Sequence, residues 1–226
     1  LGYSVHITYP LKTRFMKYRF PYWVRLVLSY IEGFRTNRWF NFHPAITMSY
    51  AKEIIDKYIP DADVVIATWW ATALDVGSVS ESKGKKNKLI QGYEDWEGHT
   101  DLLHYSYDMP GTVNVVVASY LLDIVKKYTS NKTVLIPNAI DSGQFHVVHP
   151  IEERKDTTVC MLYSAQEIKG SEYGLEALHL IKEKCPKLKA DLFGIWPAPE
   201  GLPDWITYYR DYPDPSNIYN NNSIFM

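Results

Sequence analysis

Residue types able to do chemistry gather in a few short stretches of this chain. One runs Cys160-Met161-Leu162-Tyr163-Ser164-Ala165-Gln166-Glu167-Ile168-Lys169-Gly170, continues through Leu175, Leu178 and Ile181, and ends at Leu188 and Leu192-Phe193-Gly194. Its order is strand, loop with Lys-Gly, helix, strand, glycine. A loop at the carboxyl end of a parallel strand, a lysine point charge, a glycine for close backbone approach and a helix amino terminus with free N–H groups together suit a diphosphate. The plainer reading makes Lys169 an exposed loop cation and Gly170 a turn residue.

A second stretch, Lys88-Leu89-Ile90-Gln91-Gly92-Tyr93-Glu94-Asp95-Trp96, brings two carboxylates and an aromatic to the end of a strand, where crevice loops of doubly wound sheets lie. Glu94 and Asp95 are the candidate catalytic residues, because a carboxylate there can orient a hydroxyl or accept its proton. The alternative is that they are solvated loop acids. His99 and His104 stand in reserve, or are ordinary surface and helix-cap histidines. Trp69 and Trp70, inside Thr68-Trp69-Trp70-Ala71-Thr72, offer rings for stacking on a sugar or lipid-linked acceptor, and core packing of at least one explains them equally well.

A third stretch is basic and aromatic. Lys12, Arg14, Lys17, Arg19, Arg25, Arg35 and Arg38 face one acid, Glu32, and alternate with Phe15, Tyr18, Phe20, Tyr22, Trp23, Phe34, Trp39 and Phe40. This composition suits an interfacial element on anionic lipid from Lys12 to Arg38, or a surface helix with snorkelling cations. The net charge of the whole chain is only −2, so the remainder is acidic and the molecule as a whole is no polyanion binder. Ser80 to Lys88 reads as a solvated lysine-rich loop, and nucleic acid is not an expected partner.

Cys160 and Cys185 have neither CxxC nor metal-ligand spacing, which points to reduced packing residues in a cytoplasmic protein without a metal site. No stretch approaches the ~18 apolar residues of a membrane span, since Phe20 to Ile31 is interrupted by Arg25. The chain opens without Met or a signal peptide in the alternation Gly2 to Thr8, which leads us to expect that it starts inside a domain.

The elements that must position these residues alternate short β-rich runs with helical stretches, the pattern of an α/β protein with parallel strands. Strands are expected at Val5 to Thr8, Asp63 to Ala67, Lys88 to Gln91, Asn114 to Ala118 and Thr133 to Ile136. Helices are expected at Met48 to Tyr58, with Ala51, Ile54, Ile55 and Tyr58 on one stripe, and at Tyr120 to Tyr128. A polar, charged segment from Phe145 to Thr157 marks a boundary, giving an acceptor-side domain over 1–145 and a nucleotide-binding domain over 146–226. The second begins with strand Val159 to Tyr163, helix Glu172 to Lys184, and strands Ala190 to Phe193 and Trp205 to Tyr209. A short helix, Ser216 to Asn220, and a strand from Ser223 follow.

Four blocks in order now resemble one family: Val116-Val117-Ala118-Ser119; Val134-Leu135-Ile136-Pro137-Asn138-Ala139-Ile140-Asp141 with Phe145; the Cys160 to Gly194 block; and Asn217-Ile218-Tyr219-Asn220 to Ile224-Phe225. They are similar to family 4 glycosyltransferases of the GT-B fold, in which a loop lysine before glycine holds the diphosphate of a sugar nucleotide. The resemblance implies two Rossmann-type parallel-sheet domains, the second incomplete. It also implies a nucleoside diphosphate sugar as co-substrate, no cofactor, and retaining, metal-independent transfer of a hexosyl or deoxyhexosyl group to a glycan or lipid-linked acceptor.

Carried onto this sequence, the resemblance makes Ser164, Lys169, Gly170, Gly194, Tyr209 and Arg210 donor-binding and Asn138, with Trp69 and Trp70, acceptor-side. The pathway implied is cell-surface polysaccharide or glycolipid synthesis at the inner face of the membrane. Two departures stand out: Tyr163-Ser164 occupies the place of a family arginine, and Glu94 that of an active-site histidine. The family's first strand with its glycine loop and its Glu-x7-Glu donor motif are not in the stretch, so little turnover is expected from it alone. Two rival readings are a sugar-nucleotide epimerase and a non-catalytic membrane-surface or glycan-binding protein on the same scaffold.

Overall fold

The computed structural model describes residues 2–13, 19–36, 42–95 and 98–226. Arg14, Phe15, Lys17, Tyr18, Arg38, Trp39, Phe40 and Trp96, named above, lie outside the described residues, as do the side chains of Glu32, Phe34 and Arg35. The chain divides into two units, Leu1–Asn138 and Ala139–Met226. The sequence predicts this boundary at 145/146, seven residues later. Phe145 sits in the second unit because its ring meets Tyr219 edge-on at 6.3 Å.

In the first unit, β1 (Val5–Pro10) pairs in parallel with β2 (Ile46–Ala51), from Val5 opposite Ile46 to Pro10 opposite Ala51. Helix α1 (Tyr22–Thr36) connects them. A separate sheet contains β3 (Val64–Ala67), β4 (Lys85–Ile90), β5 (Val113–Val116) and β6 (Thr133–Leu135), all parallel and in chain order. Its crossovers carry α2 (Trp70–Val76), α3 (Thr100–Tyr107) and α4 (Ser119–Val125). Trp70, Leu74, Leu103, Tyr107, Leu121 and Val125 from these helices meet Ile90 and Val116 in one buried cluster. That burial is what fixes three short helices, none long enough to be stable alone.

Two expectations are corrected here. The helix expected over Met48 to Tyr58 is a strand to Ala51, followed by bends and turns through Ile59. The stripe at Ala51, Ile54, Ile55 and Tyr58 has helical spacing, but Ile46 to Ala51 finds six backbone partners on β1, and Tyr50 packs against both Tyr9 and Tyr30. Tertiary pairing overrides a local period. Ser80 to Lys88 is likewise no solvated loop. Glu81–Lys83 forms a 3-10 turn, Lys83 reaches Asp61 at 2.7 Å, and β4 begins at Lys85.

In the second unit the strand order is β10-β7-β8-β9, parallel throughout, with β7 (Thr158–Leu162), β8 (Lys189–Gly194), β9 (Ile206–Arg210) and β10 (Ile224–Phe225). Helix α5 (Ser171–Lys184) joins β7 to β8, and α6 (Pro215–Asn221) precedes β10. Strand alternation assigns the faces. Val159, Met161, Ala190 and Leu192 pack with Leu178 of α5, whereas Cys160 and Phe193 pack with Ile218 of α6. Both cysteines are free, and burial pushes the Cys160 thiol up to about 11.

Candidate functional site

In each parallel sheet the carboxyl ends of the strands release the loops that reach a ligand. In the first unit those loops carry Trp69 after β3, Gln91 to Asp95 after β4, and Ile136 to Asn138 after β6. The half-buried Glu94 turns back onto α2: its Oε2 accepts the N–H of Trp70 at 3.2 Å. Helix α2 has no capping side chain of its own and no acid in its first turn, so Glu94 supplies both an acceptor and a negative charge there. Asp95 acts similarly one helix on, accepting the hydroxyl of Thr100 at the first residue of α3. The two carboxylates thus fasten the starts of two helices beside one loop.

Of the two readings of the tryptophan pair, stacking on an acceptor and core packing, Trp70 takes the second: it is 0% exposed in the core, where complete burial leaves no face for a sugar. Trp69 is partly buried and meets it at 5.6 Å, while Asn138 is exposed. Of the reserve histidines, His99 tilts against Trp70 at 5.5 Å, and His104 stacks on Tyr128 at 3.5 Å with Nε2 2.9 Å from the Tyr93 hydroxyl.

A cavity of about 340 Å³ is lined by Glu53, Asp56, Lys57, Asp75 and Ser78 among others. It lies by the end of α2, which runs back from the carboxyl end of β3, and so belongs to the opposite edge of the sheet from Glu94.

Sequence reasoning missed Lys88. It is 1% exposed, donates to the Ser106 hydroxyl, and holds its ammonium 4.2 Å from the centre of the Tyr107 ring. Burial brings its pKa down from 10.5 to about 7, against the opposing pull of Glu94. A lysine in a run with Lys83, Lys85 and Lys86 gives no signal that one of them faces inward.

In the second unit the loop leaving β7 carries Ser164, then the 3-10 turn Glu167–Lys169, then Gly170 at φ 65°, the left-handed conformation that opens α5 at little cost for glycine. Lys169 is exposed, immediately ahead of the helix amino terminus. The buried hydroxyl of Ser171, another residue the sequence reading passed over, accepts the N–H of Ser164 at 2.9 Å and locks the loop against the first turn of α5. A Ser following Lys-Gly was the available signal.

Gly194 ends β8, where a Cβ would come 2.3 Å from the carbonyl oxygen of Tyr163, so only glycine allows the two loops to approach. At the end of β9, Arg210 Nε donates to the Ile195 carbonyl at 3.3 Å and lies 3.6 Å from Asp211, while Tyr208 donates to the Trp196 carbonyl at 2.5 Å. Tyr209 is half-buried beside Tyr212. One edge of this sheet therefore gathers Ser164, Gly170, Gly194 and Arg210 on adjacent strands. Among the described residues no group of three or more His, Cys, Asp or Glu side chains is arranged to hold a metal ion, and no helix is long and apolar enough to cross a membrane.

No protein-family model matches the chain. No curated protein sequence matches it either. Among solved structures it is similar to TarM, with a TM-score of 0.57 and 12% identity over 75% of this chain and 37% of that one. It is also similar to the pneumococcal O-GlcNAc transferase GtfA in complex with UDP and GlcNAc, with a TM-score of 0.50 and 14% identity over 74% of this chain and 37% of that one. The chain thus spans well under half the length of either. What this likeness establishes is architecture: an α/β chain with parallel Rossmann-like sheets of the kind found in GT-B glycosyltransferases.

Proposed function

We propose that the protein transfers a hexosyl or deoxyhexosyl group from a nucleoside diphosphate sugar to a glycan or lipid-linked acceptor. The reaction breaks the bond from the anomeric carbon to the diphosphate and forms one to an acceptor oxygen. The acceptor proton passes to a base and the nucleoside diphosphate leaves. We place it in cell-surface polysaccharide or glycolipid synthesis, in the cytoplasm at the inner face of a membrane, proceeding with retention and without a metal.

The observation that carries this reading is the edge of the second sheet. Lys169 stands ahead of the α5 amino terminus, with Gly170 in the left-handed conformation and Ser164 tied to Ser171. A lysine cation and a row of free N–H groups stabilise the charge that develops on a leaving diphosphate. Gly194, Tyr209 and Arg210 border the same edge and form the donor's surroundings in this reading, with Asn138 and Trp69 on the acceptor side. Support also comes from GtfA, whose structure contains UDP and GlcNAc.

Calorimetric titration of the protein with a panel of nucleotide sugars tests it. A binding donor should be found, and Lys169→Ala should weaken it about tenfold, the worth of one charge-assisted contact. Failure of every nucleotide sugar to bind rejects the proposal, and product analysis with a labelled donor separates transfer from epimerisation.

A second reading has one observation in its favour. Glu94 and Asp95, the acids available for proton transfer in the first unit, are both committed to helix starts. A scaffold that binds glycan or membrane without turning over would look the same there, and transfer to any acceptor would remove that reading.

A further inference from the structure

Helix α1 leaves much of its apolar surface uncovered. Trp23, Val27, Tyr30 and Ile31 recur at the spacing of one helical face. They are 68%, 53%, 55% and 53% exposed, with Leu28 extending the same arc. The other side of the helix carries Arg25, Leu26 and Ser29, all half-buried; the Tyr50 hydroxyl donates to the Ser29 carbonyl there at 2.8 Å and its ring meets one edge of Tyr30 at 5.3 Å. An amphipathic helix resting on its own domain turns its apolar side inward. This one presents five large apolar side chains to the surroundings, a patch of the kind that marks an interaction surface.

The charge around it identifies the occupant. Arg19 lies 5.5 Å from the Phe20 ring just before the helix, Lys52 lies 5.6 Å from the Tyr22 ring at its start, and Lys12 is exposed on the preceding segment. A second copy would bring Lys12, Arg19 and Lys52 toward like charge across a two-fold axis. An anionic bilayer neutralises it, takes up the apolar arc and accommodates Trp and Tyr at the depth of the headgroups. At 15 residues the helix is too short to span, so it lies in the interface plane. We infer that the Trp23, Val27, Tyr30 and Ile31 face of α1 inserts into the surface of an anionic phospholipid membrane, with Lys12, Arg19 and Lys52 on the headgroups.

This inference does not need the transfer reaction, so vesicle binding and donor binding can fail independently. The chain is floated with vesicles of phosphatidylcholine, with and without phosphatidylglycerol, at low and high salt, beside light scattering for its oligomeric state. Binding is expected only with the anionic lipid and should fall with salt as the charges are screened. The double variant Trp23→Ser with Ile31→Ser, at exposed positions that should leave folding intact by circular dichroism, should lose at least about tenfold in partitioning. Arg19→Glu with Lys52→Glu should lose a similar amount. Brominated lipid should quench fluorescence of the native chain more than that of Trp23→Phe. Equal binding to neutral vesicles, no binding to either, or binding indifferent to both double variants overturns the inference. So does a dimer that the Trp23 and Ile31 changes dissociate in the absence of lipid binding.

Discussion

A lysine ammonium buried against a tyrosine ring imposes a cost that depends on pH. Lys88 keeps its proton in the unfolded chain up to about 10.5, but in the folded chain only to about 7. Between those values the unfolded state binds the extra proton, so stability rises with pH, by about 1.4 kcal/mol per unit at most. Below about pH 7 both states are charged, the full cost of burying the ammonium is present, and the slope from this group vanishes. Urea titrations at a series of pH values should therefore show native stability climbing from neutral to alkaline conditions, once the same series for Lys88→Met is subtracted. The variant should be the more stable at neutral pH. A wild-type minus variant difference that is flat in pH would show that the amine is neutral or solvated throughout. The neighbours that face it are Ser106, Tyr107 and Glu94; the hydroxyl that accepts from it, the ring face and the carboxylate all favour the charged form, and burial outweighs them.

The starts of α2 and α3 show how a loop acid can serve structure and chemistry at once. If Glu94 acts only by accepting the Trp70 N–H, Glu94→Gln keeps an oxygen acceptor and most of the stability, whereas Glu94→Ala costs about 1 kcal/mol as the loss of a cap. If it also takes the acceptor's proton, Glu94→Gln loses turnover while keeping most of its stability, because an amide retains the acceptor oxygen but is not a base. We expect the second pattern, measured beside the thermal midpoint as single-turnover transfer from a labelled donor, which registers even the little turnover expected of this stretch; undiminished transfer in Glu94→Gln would leave Glu94 a purely structural residue. Strands of this scale were legible in the sequence, since Val5, Val64, Val113, Thr133, Thr158 and Lys189 begin strands within a few residues of the β-rich runs read there. The strand Ile46–Ala51 was not, because its partner on β1 lies some forty positions earlier and nothing local reveals a parallel pairing. Which tryptophan is buried was left open between Trp69 and Trp70, and the burial of Lys88 was not legible, because it depends on Ser106 and Tyr107 of α3. At the second sheet the Lys-Gly loop could be read locally, because loop, glycine and helix start are consecutive; the Ser164 to Ser171 lock could not.

Each of the two units closes around its own buried side chains. Trp70, Leu103, Tyr107, Val116 and Leu121 belong to the first, and Met161, Leu178, Leu192 and Ile206 to the second, with no buried residue shared between these clusters. Leu178 is fully buried on α5 against β7 and β8, so Leu178→Ala leaves a cavity costing about 2–5 kcal/mol. Because local opening follows the cooperative unit that contains the damage, amide exchange in this variant should accelerate across residues 158–225 and stay unchanged at β4 and β5. The loop from Ser164 to Gly170 hangs on the first turn of α5, so under the proposed function donor affinity should fall along with that protection, although Leu178 lies in the core. Faster exchange at Ile90 and Val116 as well would reject the separate opening of the two cores.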